Sequence, residues 1–123
     1  MLSSKIEKLT DQETSVKFLK DLMAHFVKER EWEKFHTPKN LAISICLESS
    51  ELLEHFQWEL SNEASLSPIR LAEIGEEMAD VLAYLLSLAN SLNIDLSSTF
   101  QDKMRKNNVK YPADKFRGTW EKK

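Results

Sequence analysis

Two pairs of acidic residues in this chain share a spacing that suits metal binding. Glu48 and Glu51 form one pair, and Glu77 and Asp80 form the other, each with its members three residues apart. On an α-helix, side chains three positions apart are neighbours on one face. Carboxylate oxygens are hard ligands, and a site built only from them favours Mg²⁺, and also admits Mn²⁺, over zinc or iron. The two pairs therefore predict a site for a hard divalent cation.

Both acidic pairs lie among apolar residues, where charged side chains are unusual. A helix rotates by about 100° per residue, which places apolar side chains beside Glu48 and beside Glu77. These neighbours are Leu41, Ile45 and Leu52 for the first pair and Ile74, Val81, Leu88 and Leu92 for the second. A buried, unpaired carboxylate is costly, and neither acidic stripe contains a lysine that would neutralise it. Either some of these carboxyl groups are protonated, or a multivalent cation lies between them.

Helices are the elements that must position these residues. Apolar residues recur at helical spacing in four segments, over about 14–30, 38–60, 68–92 and 96–108. From Pro112 onward the periodicity is lost, so residues 112–123 are expected to form an irregular tail. No linker or repeat indicates a second domain. The predicted architecture is therefore a single all-α domain over residues 1–123, resembling a four-helix bundle.

Capping residues mark where these helices should begin and end. Thr10 or Asp11 is the expected cap of the first helix. The second and third helices each follow a capping residue and a proline, Thr37–Pro38 and Ser67–Pro68. Asn93 is the expected stop of the third helix.

The composition agrees with a helical globule and excludes several other classes. The chain has 123 residues, 41% of them hydrophobic, with only two glycines and three prolines, fewer turn residues than strand-rich folds need. Its net charge of −3 provides no strong basic field for a nucleic acid duplex. Cys46 is the only cysteine, which excludes an internal disulfide. Nothing reads as a signal peptide or membrane span, so the cytoplasm is the expected location.

Four stretches of the sequence carry a recognisable pattern. They are residues 32–41 (WEKFHTPKNL), 47–58 (LESSELLEHFQW), 76–86 (EEMADVLAYLL) and 103–112 (KMRKNNVKYP). In order and content they resemble the MazG-type all-α NTP pyrophosphatases, most closely the dCTP pyrophosphatase branch. The resemblance covers residues from about 29 to 112. At Ser49 and Ser50 the chain departs from the pattern, where relatives often carry a small residue and a glycine, and this leaves the base preference open.

The resemblance implies a reaction and a set of site residues. The family cleaves nucleoside triphosphates between the α and β phosphates, so hydrolysis of dCTP or a related dNTP to monophosphate and pyrophosphate is expected, as nucleotide-pool house-cleaning. It places the metal, expected to be Mg²⁺, on the four acidic residues identified above, with Glu51 as our choice of general base. Positions expected to contact the nucleotide are Trp32, His36, Trp58, Tyr84, Lys103 and Asn107.

The second and third helices also carry apolar residues on the sides opposite the acids. These are Ala42, Cys46 and Leu53 on the second helix and Ala79, Leu82 and Leu86 on the third. One layer of four helices cannot cover both sides of two such helices, so we expect a homodimer or homotetramer that completes the bundle.

Two alternatives stay open at the level of sequence. One is a non-catalytic helical protein-interaction module in which the acids hold a structural metal or a partner. The other is a different metal-dependent phosphohydrolase or a di-iron oxidase. Di-iron bundles use Glu-x-x-His on two helices, whereas here Glu33-x-x-His36 stands alone and precedes the second helix.

Overall fold

The structure is a computed structural model that describes residues 8–58 and 66–121. All regular elements in these two ranges are helices, which confirms the predicted all-α class. They are α1 (Val16–Glu29), a 3₁₀ turn (Glu33–Phe35), α2 (Pro38–Glu54), α3 (Pro68–Leu92), α4 (Leu96–Lys110) and α5 (Ala113–Phe116). None of the described helices combines the length and apolarity that a membrane crossing requires.

The helices that carry the acids begin where the capping residues predict. The Thr37 hydroxyl accepts a hydrogen bond from the backbone N–H of Asn40 at 3.3 Å, and Pro38 opens α2. The Ser67 hydroxyl accepts from the N–H of Arg70 at 3.2 Å at the start of α3. Asn93 ends α3 in the left-handed conformation, with φ of 56°, as expected of a C-terminal asparagine.

The predicted start of α1 is wrong. α1 begins at Val16, with the hydroxyl of Ser15 accepting from the N–H of Phe18 at 3.0 Å. Thr10 lies in a preceding turn, where its carbonyl oxygen accepts from the N–H groups of Glu13 and Thr14. Ser15 therefore provides the cap that the sequence analysis assigned to Thr10 or Asp11.

The predicted end of α2 is also wrong. α2 stops at Glu54, and residues 55–58 form a turn in which the N–H groups of His55 and Phe56 bond to the carbonyls three residues earlier. The carbonyl oxygen of His55 accepts from the guanidinium of Arg70 on α3, which satisfies one carbonyl at the end of α2. The predicted boundary at residue 60 lies outside the described residues.

The C-terminal tail contains more structure than expected. α4 continues to Lys110, two residues past its predicted end. Residues 113–116 form the short helix α5 instead of an irregular segment. The reason is local: the ring of Phe116 packs edge-on against Tyr111 at 5.2 Å, and the carbonyl of Pro112 accepts from the N–H groups of Lys115 and Phe116.

α3 is the central helix of the acid-bearing unit. α2 and α1 both pack against it. Apolar side chains from these three helices form the buried core, with Val27 from α1, Leu41 from α2, and Ile74, Leu86 and Ala89 from α3. The chain divides into two compact units, Met1–Asn93 and Ile94–Lys123. The prediction of one domain over the whole chain stays a prediction.

Candidate functional site

Three carboxylates from α2 and α3 meet in one small volume. One oxygen each from Glu48, Glu51 and Glu77 lie within 4.8 Å of one another. The first two are one helical turn apart on α2, and the third lies opposite them because α2 packs along α3. The i, i+3 spacing and the pairing of the two helices therefore bring together three of the four predicted metal ligands.

Two carboxylate oxygens of these glutamates are buried without a hydrogen-bond donor among the described residues. Oε2 of Glu48 and Oε2 of Glu77 have no partner among the described residues. Buried oxygens of this kind are normally paired with a donor or coordinate a cation. In an octahedral site with bonds of about 2.1 Å, opposite ligands lie about 4.2 Å apart, so the observed spacing needs only small side-chain adjustment. The residues present therefore fit a hard divalent cation.

Crowding of negative charge raises the pKa of two of the acids. The pKa of Glu48 rises from 4.5 to about 7, chiefly because of a side-chain hydrogen bond with Glu51, and then because of burial and the neighbouring charges. The pKa of Glu77 is also raised, mainly by burial and then by Glu51. The charge of His55 acts in the opposite direction on Glu77. Ionisation of these two carboxyl groups is therefore unfavourable unless a cation offsets their charge.

Asp80 stands at the edge of this cluster. Its side chain is exposed and lies outside the set of three converging oxygens. Its negative charge nonetheless contributes to the raised pKa of both Glu48 and Glu77, so it lies close to them. Its role as a fourth ligand stays a prediction.

Aromatic residues form a continuous stack on the acid-bearing unit. The rings of Trp32 and His36 stack at 6.5 Å and 29°, and His36 meets Tyr84 at 6.3 Å and 36°. Phe26 packs edge-on against Trp32 at 5.8 Å. Tyr84 lies one helical turn beyond Asp80 on α3, so the stack reaches the helix that carries the acids. Three predicted nucleotide-contacting residues are thus brought together.

The other three predicted nucleotide contacts are Trp58, Lys103 and Asn107. Trp58 is 89% exposed and has no described ring neighbour. Lys103 and Asn107 belong to α4, in the second compact unit. There Lys103 is exposed, and the side-chain amide of Asn107 lies 3.7 Å from the sulfur of Met104. Their roles stay predictions.

A cavity beside the aromatic stack went unrecognised in the sequence. It has a volume of about 340 Å³ and lies between α1 and α3, with His36, Ser87 and Asn90 among its lining residues. A helical projection could have indicated Ser87, which falls within about 80° of Glu77 on the side of Asp80. The influence of His55 on Glu77 was likewise missed, although His55 shares the face of Glu48.

The family model of the MazG-like family matches residues 43–123, which include the three converging carboxylates and Tyr84. The chain belongs to the MazG-like family. This confirms the resemblance drawn from its sequence motifs. The match begins after α2 has started, so the aromatic residues before α2 lie outside it.

Individual relatives extend the MazG-like assignment over most of the chain. The chain is 37% identical to dCTP pyrophosphatase 1 of Mus musculus over 110 residues, covering 87% of this chain and 65% of the mouse protein. With dCTP pyrophosphatase 1 of Homo sapiens the identity is 39% over 104 residues, covering 82% of this chain and 61% of the human protein. This MazG-like chain thus spans less than two thirds of the length of these relatives.

A solved structure resembles this MazG-like chain more fully. A crystal structure of a pyrophosphatase from Archaeoglobus fulgidus superimposes with a TM-score of 0.73 and 42% sequence identity. The alignment covers 88% of this chain and 99% of the archaeal one. The archaeal protein therefore shares the helical fold of this chain over the aligned part.

Proposed function

We propose that the protein is a Mg²⁺-dependent nucleoside triphosphate pyrophosphohydrolase that converts dCTP or a related dNTP to the monophosphate and pyrophosphate. The observation that carries the proposal is the convergence of Glu48, Glu51 and Glu77, with two buried oxygens that lack a donor in the described part of the chain. Relatives named dCTP pyrophosphatase 1, and a structural neighbour named pyrophosphatase, support this reaction.

Mg²⁺ is the proposed metal because every candidate ligand is a carboxylate oxygen. Glu48, Glu51 and Glu77 would hold it, with Asp80 as the proposed fourth ligand. Mn²⁺ has the same preference for hard oxygen ligands and is the proposed substitute. When bound, the metal supplies positive charge to the triphosphate and acidifies a water molecule for attack.

The chain's own residues have distinct proposed roles. Glu51 is the exposed member of the three, and it is our candidate for the base that takes a proton from the attacking water. The water oxygen bonds to the α phosphorus, the bond from that phosphorus to the bridging oxygen breaks, and pyrophosphate leaves. The stack of Trp32, His36 and Tyr84 is proposed to hold the nucleoside, while Trp58, Lys103 and Asn107 remain proposed substrate contacts.

Product analysis in isotopically labelled water tests the reaction. The protein is incubated with each common ribo- and deoxyribonucleoside triphosphate and Mg²⁺ in H₂¹⁸O, and products are separated by chromatography and mass spectrometry. We expect a monophosphate carrying one ¹⁸O, unlabelled pyrophosphate and a preference for dCTP or a related dNTP. Orthophosphate as the sole inorganic product would overturn α–β cleavage. Absence of turnover with every triphosphate, despite magnesium binding, would favour the interaction-module alternative.

A homodimer or homotetramer is the proposed assembly, in the cytoplasm. Exposed apolar side chains on α3 support it, because Leu71, Met78, Leu82 and Leu85 are 52%, 58%, 43% and 41% exposed and fall within about 60° of one another on the helix. Monomeric proteins seldom leave so continuous an apolar stripe in water. The proposed location agrees with the free Cys46, since secreted proteins of this size usually use cysteines in disulfides.

A further inference from the structure

We propose that the cavity between α1 and α3 receives the nucleobase of the triphosphate, and that the hydroxyl of Ser87 reads the base edge by hydrogen bonding. This inference rests on the proposed function and adds the residues that would select the base. The cavity has a volume of about 340 Å³, within the usual range for small-molecule sites. It is the space beside His36, the middle member of the ring contacts that link Trp32 to Tyr84.

Two buried polar atoms belong to residues that line this cavity. Ser87 is only 6% exposed, and its Oγ has no hydrogen-bond partner within residues 8–58 and 66–121. Nδ1 of His36 is also buried without a partner in the same ranges. A serine inside a helix commonly satisfies its hydroxyl on the carbonyl four residues earlier, and this one does not. Both groups are therefore left to a ligand, and leaving them unsatisfied would be costly.

The remaining walls suit a flat, partly polar ring. Met23 and Val27 of α1 supply apolar surface. Asn90 lines the cavity on the α3 side, and its Nδ2 donates to the backbone carbonyl of Lys20 at 2.9 Å, which anchors the amide. A nucleobase has apolar faces and an edge that carries both donors and acceptors. Ser87 can both donate and accept, so it can pair with either kind of group on that edge.

The spacing along α3 matches the length of a nucleotide. Glu77 and Ser87 are ten residues apart, which is about 15 Å along the helix axis at 1.5 Å per residue. Tyr84 lies between them and projects from the same side of the helix. A nucleoside triphosphate aligned with α3 would place its phosphates at the carboxylates, its sugar near Tyr84 and its base at Ser87.

Binding measurements with two probes separate the cavity from the metal site. Non-hydrolysable α,β-imido analogues of the four dNTPs carry a base, whereas inorganic tripolyphosphate carries none. Isothermal titration with Mg²⁺ present gives the dissociation constants of both for the wild type, Ser87→Ala and Ser87→Leu. Ser97→Ala is the matched control, because Ser97 is also a helical serine but lies exposed on α4 and does not line the cavity.

We expect Ser87→Ala to weaken binding of the preferred analogue by about five- to thirtyfold, the effect of one lost hydrogen bond, and to narrow the differences among the four bases. Ser87→Leu fills the cavity and should reduce analogue affinity to that of tripolyphosphate. Both variants should bind tripolyphosphate as the wild type does, which also reports an intact fold. Ser97→Ala should change neither dissociation constant by more than about twofold.

Two results would overturn the inference. One is analogue binding that both Ser87 variants leave unchanged, and the other is an equal loss of analogue and tripolyphosphate affinity in Ser87→Ala. If the wild type binds and cleaves triphosphates in either case, the proposed function survives and only the cavity assignment fails. A wild type that neither binds nor cleaves any triphosphate would instead remove the proposed function itself.

Discussion

Glu48 and Glu77 hold carboxylate oxygens that are cut off from water and meet no donor in the described chain. With Glu51 beside them, full ionisation would put three negative charges in one small volume. Protonation relieves part of this repulsion, which is why the pKa of Glu48 rises to about 7. A divalent cation relieves it more completely, because it offsets two charges and coordinates the unpaired oxygens at once. The residues therefore favour metal binding over an empty acidic cluster at neutral pH.

Neutralising one ligand tests this account at the level of a single side chain. Glu77→Gln keeps the size of the side chain but removes the charge, so we expect it to lower kcat/KM by at least about 10–100-fold, the loss typical of even an outer metal partner. Glu76→Gln is the matched control, since its side chain is the adjacent, exposed carboxylate on the same helix. It should retain nearly full activity. Steady-state kinetics at saturating Mg²⁺, with circular dichroism as a check of helicity, measures both.

Equal activity of the Glu77→Gln and Glu76→Gln variants would remove Glu77 from the metal site. Equal loss in both would mean that charge on this stretch of α3, and not coordination by Glu77, governs turnover.

The raised pKa of Glu48 makes stability depend on pH in a definite direction. Without metal, the folded chain retains this proton up to about pH 7, whereas the ordinary pKa is 4.5. The folded state then binds more protons than the unfolded state between these values, so the contribution of Glu48 to the free energy of unfolding falls as the pH rises through that window. In a chelator, Glu48→Gln should therefore melt at nearly the wild-type temperature at pH 4.5 and a few degrees higher at pH 8.

Mg²⁺ should reverse the difference in melting temperature that we expect between the wild type and Glu48→Gln in the chelator. Mg²⁺ binds the deprotonated carboxylates, so it should raise the melting temperature of the wild type more at pH 8 than at pH 5 and should stabilise Glu48→Gln less. Thermal melts of both proteins, followed by circular dichroism with chelator and with Mg²⁺ at each pH, measure these melting temperatures. If the melting temperatures of the two proteins in the chelator differ by the same amount at pH 4.5 and at pH 8, the raised pKa of Glu48 is contradicted.

At the scale of the helices, sequence reasoning succeeded where a local signal was decisive. Thr37–Pro38, Ser67–Pro68 and Asn93 are strong boundary signals, and α2 and α3 begin or end at them. Helical periodicity was enough to place the three converging glutamates on facing helices. In each case the relevant physics acts within one or two turns of helix, which the sequence displays directly.

The failures concern interactions that link distant parts of the chain. α2 ends earlier than predicted, in a turn where the carbonyl oxygen of His55 accepts a hydrogen bond from the guanidinium of Arg70, fifteen residues further along the chain. Ser87 shares the side of α3 that carries Asp80, but the cavity that it lines forms only where α1 packs against α3, which the local sequence does not display. Ser15 caps α1 in place of two equally suitable residues upstream, and local propensity alone does not choose among such candidates.

At the scale of the whole molecule, the open question is what covers the exposed apolar stripe of α3. Ile74, Leu86 and Ala89 of α3 are buried in the core, but Leu71 and Leu82 remain about half exposed, at 52% and 43%. Burial of apolar surface of this kind against a second copy is favourable by about 25 cal/mol per Å² before the entropy lost on association. We therefore expect the wild type to have the mass of a dimer or tetramer in light scattering coupled to size exclusion.

Charge placed on the stripe should break the assembly. The double variant Leu71→Lys/Leu82→Lys should shift the protein to a lower mass, because two lysines in an apolar interface lose hydration without gaining a partner. Ala72→Lys is the matched control, since this exposed residue neighbours Leu71 but points about 110° away from the centre of the stripe. It should leave the mass unchanged. A wild type that elutes as a monomer would refute the predicted assembly, and dissociation by Ala72→Lys alone would place the interface on a different face of α3.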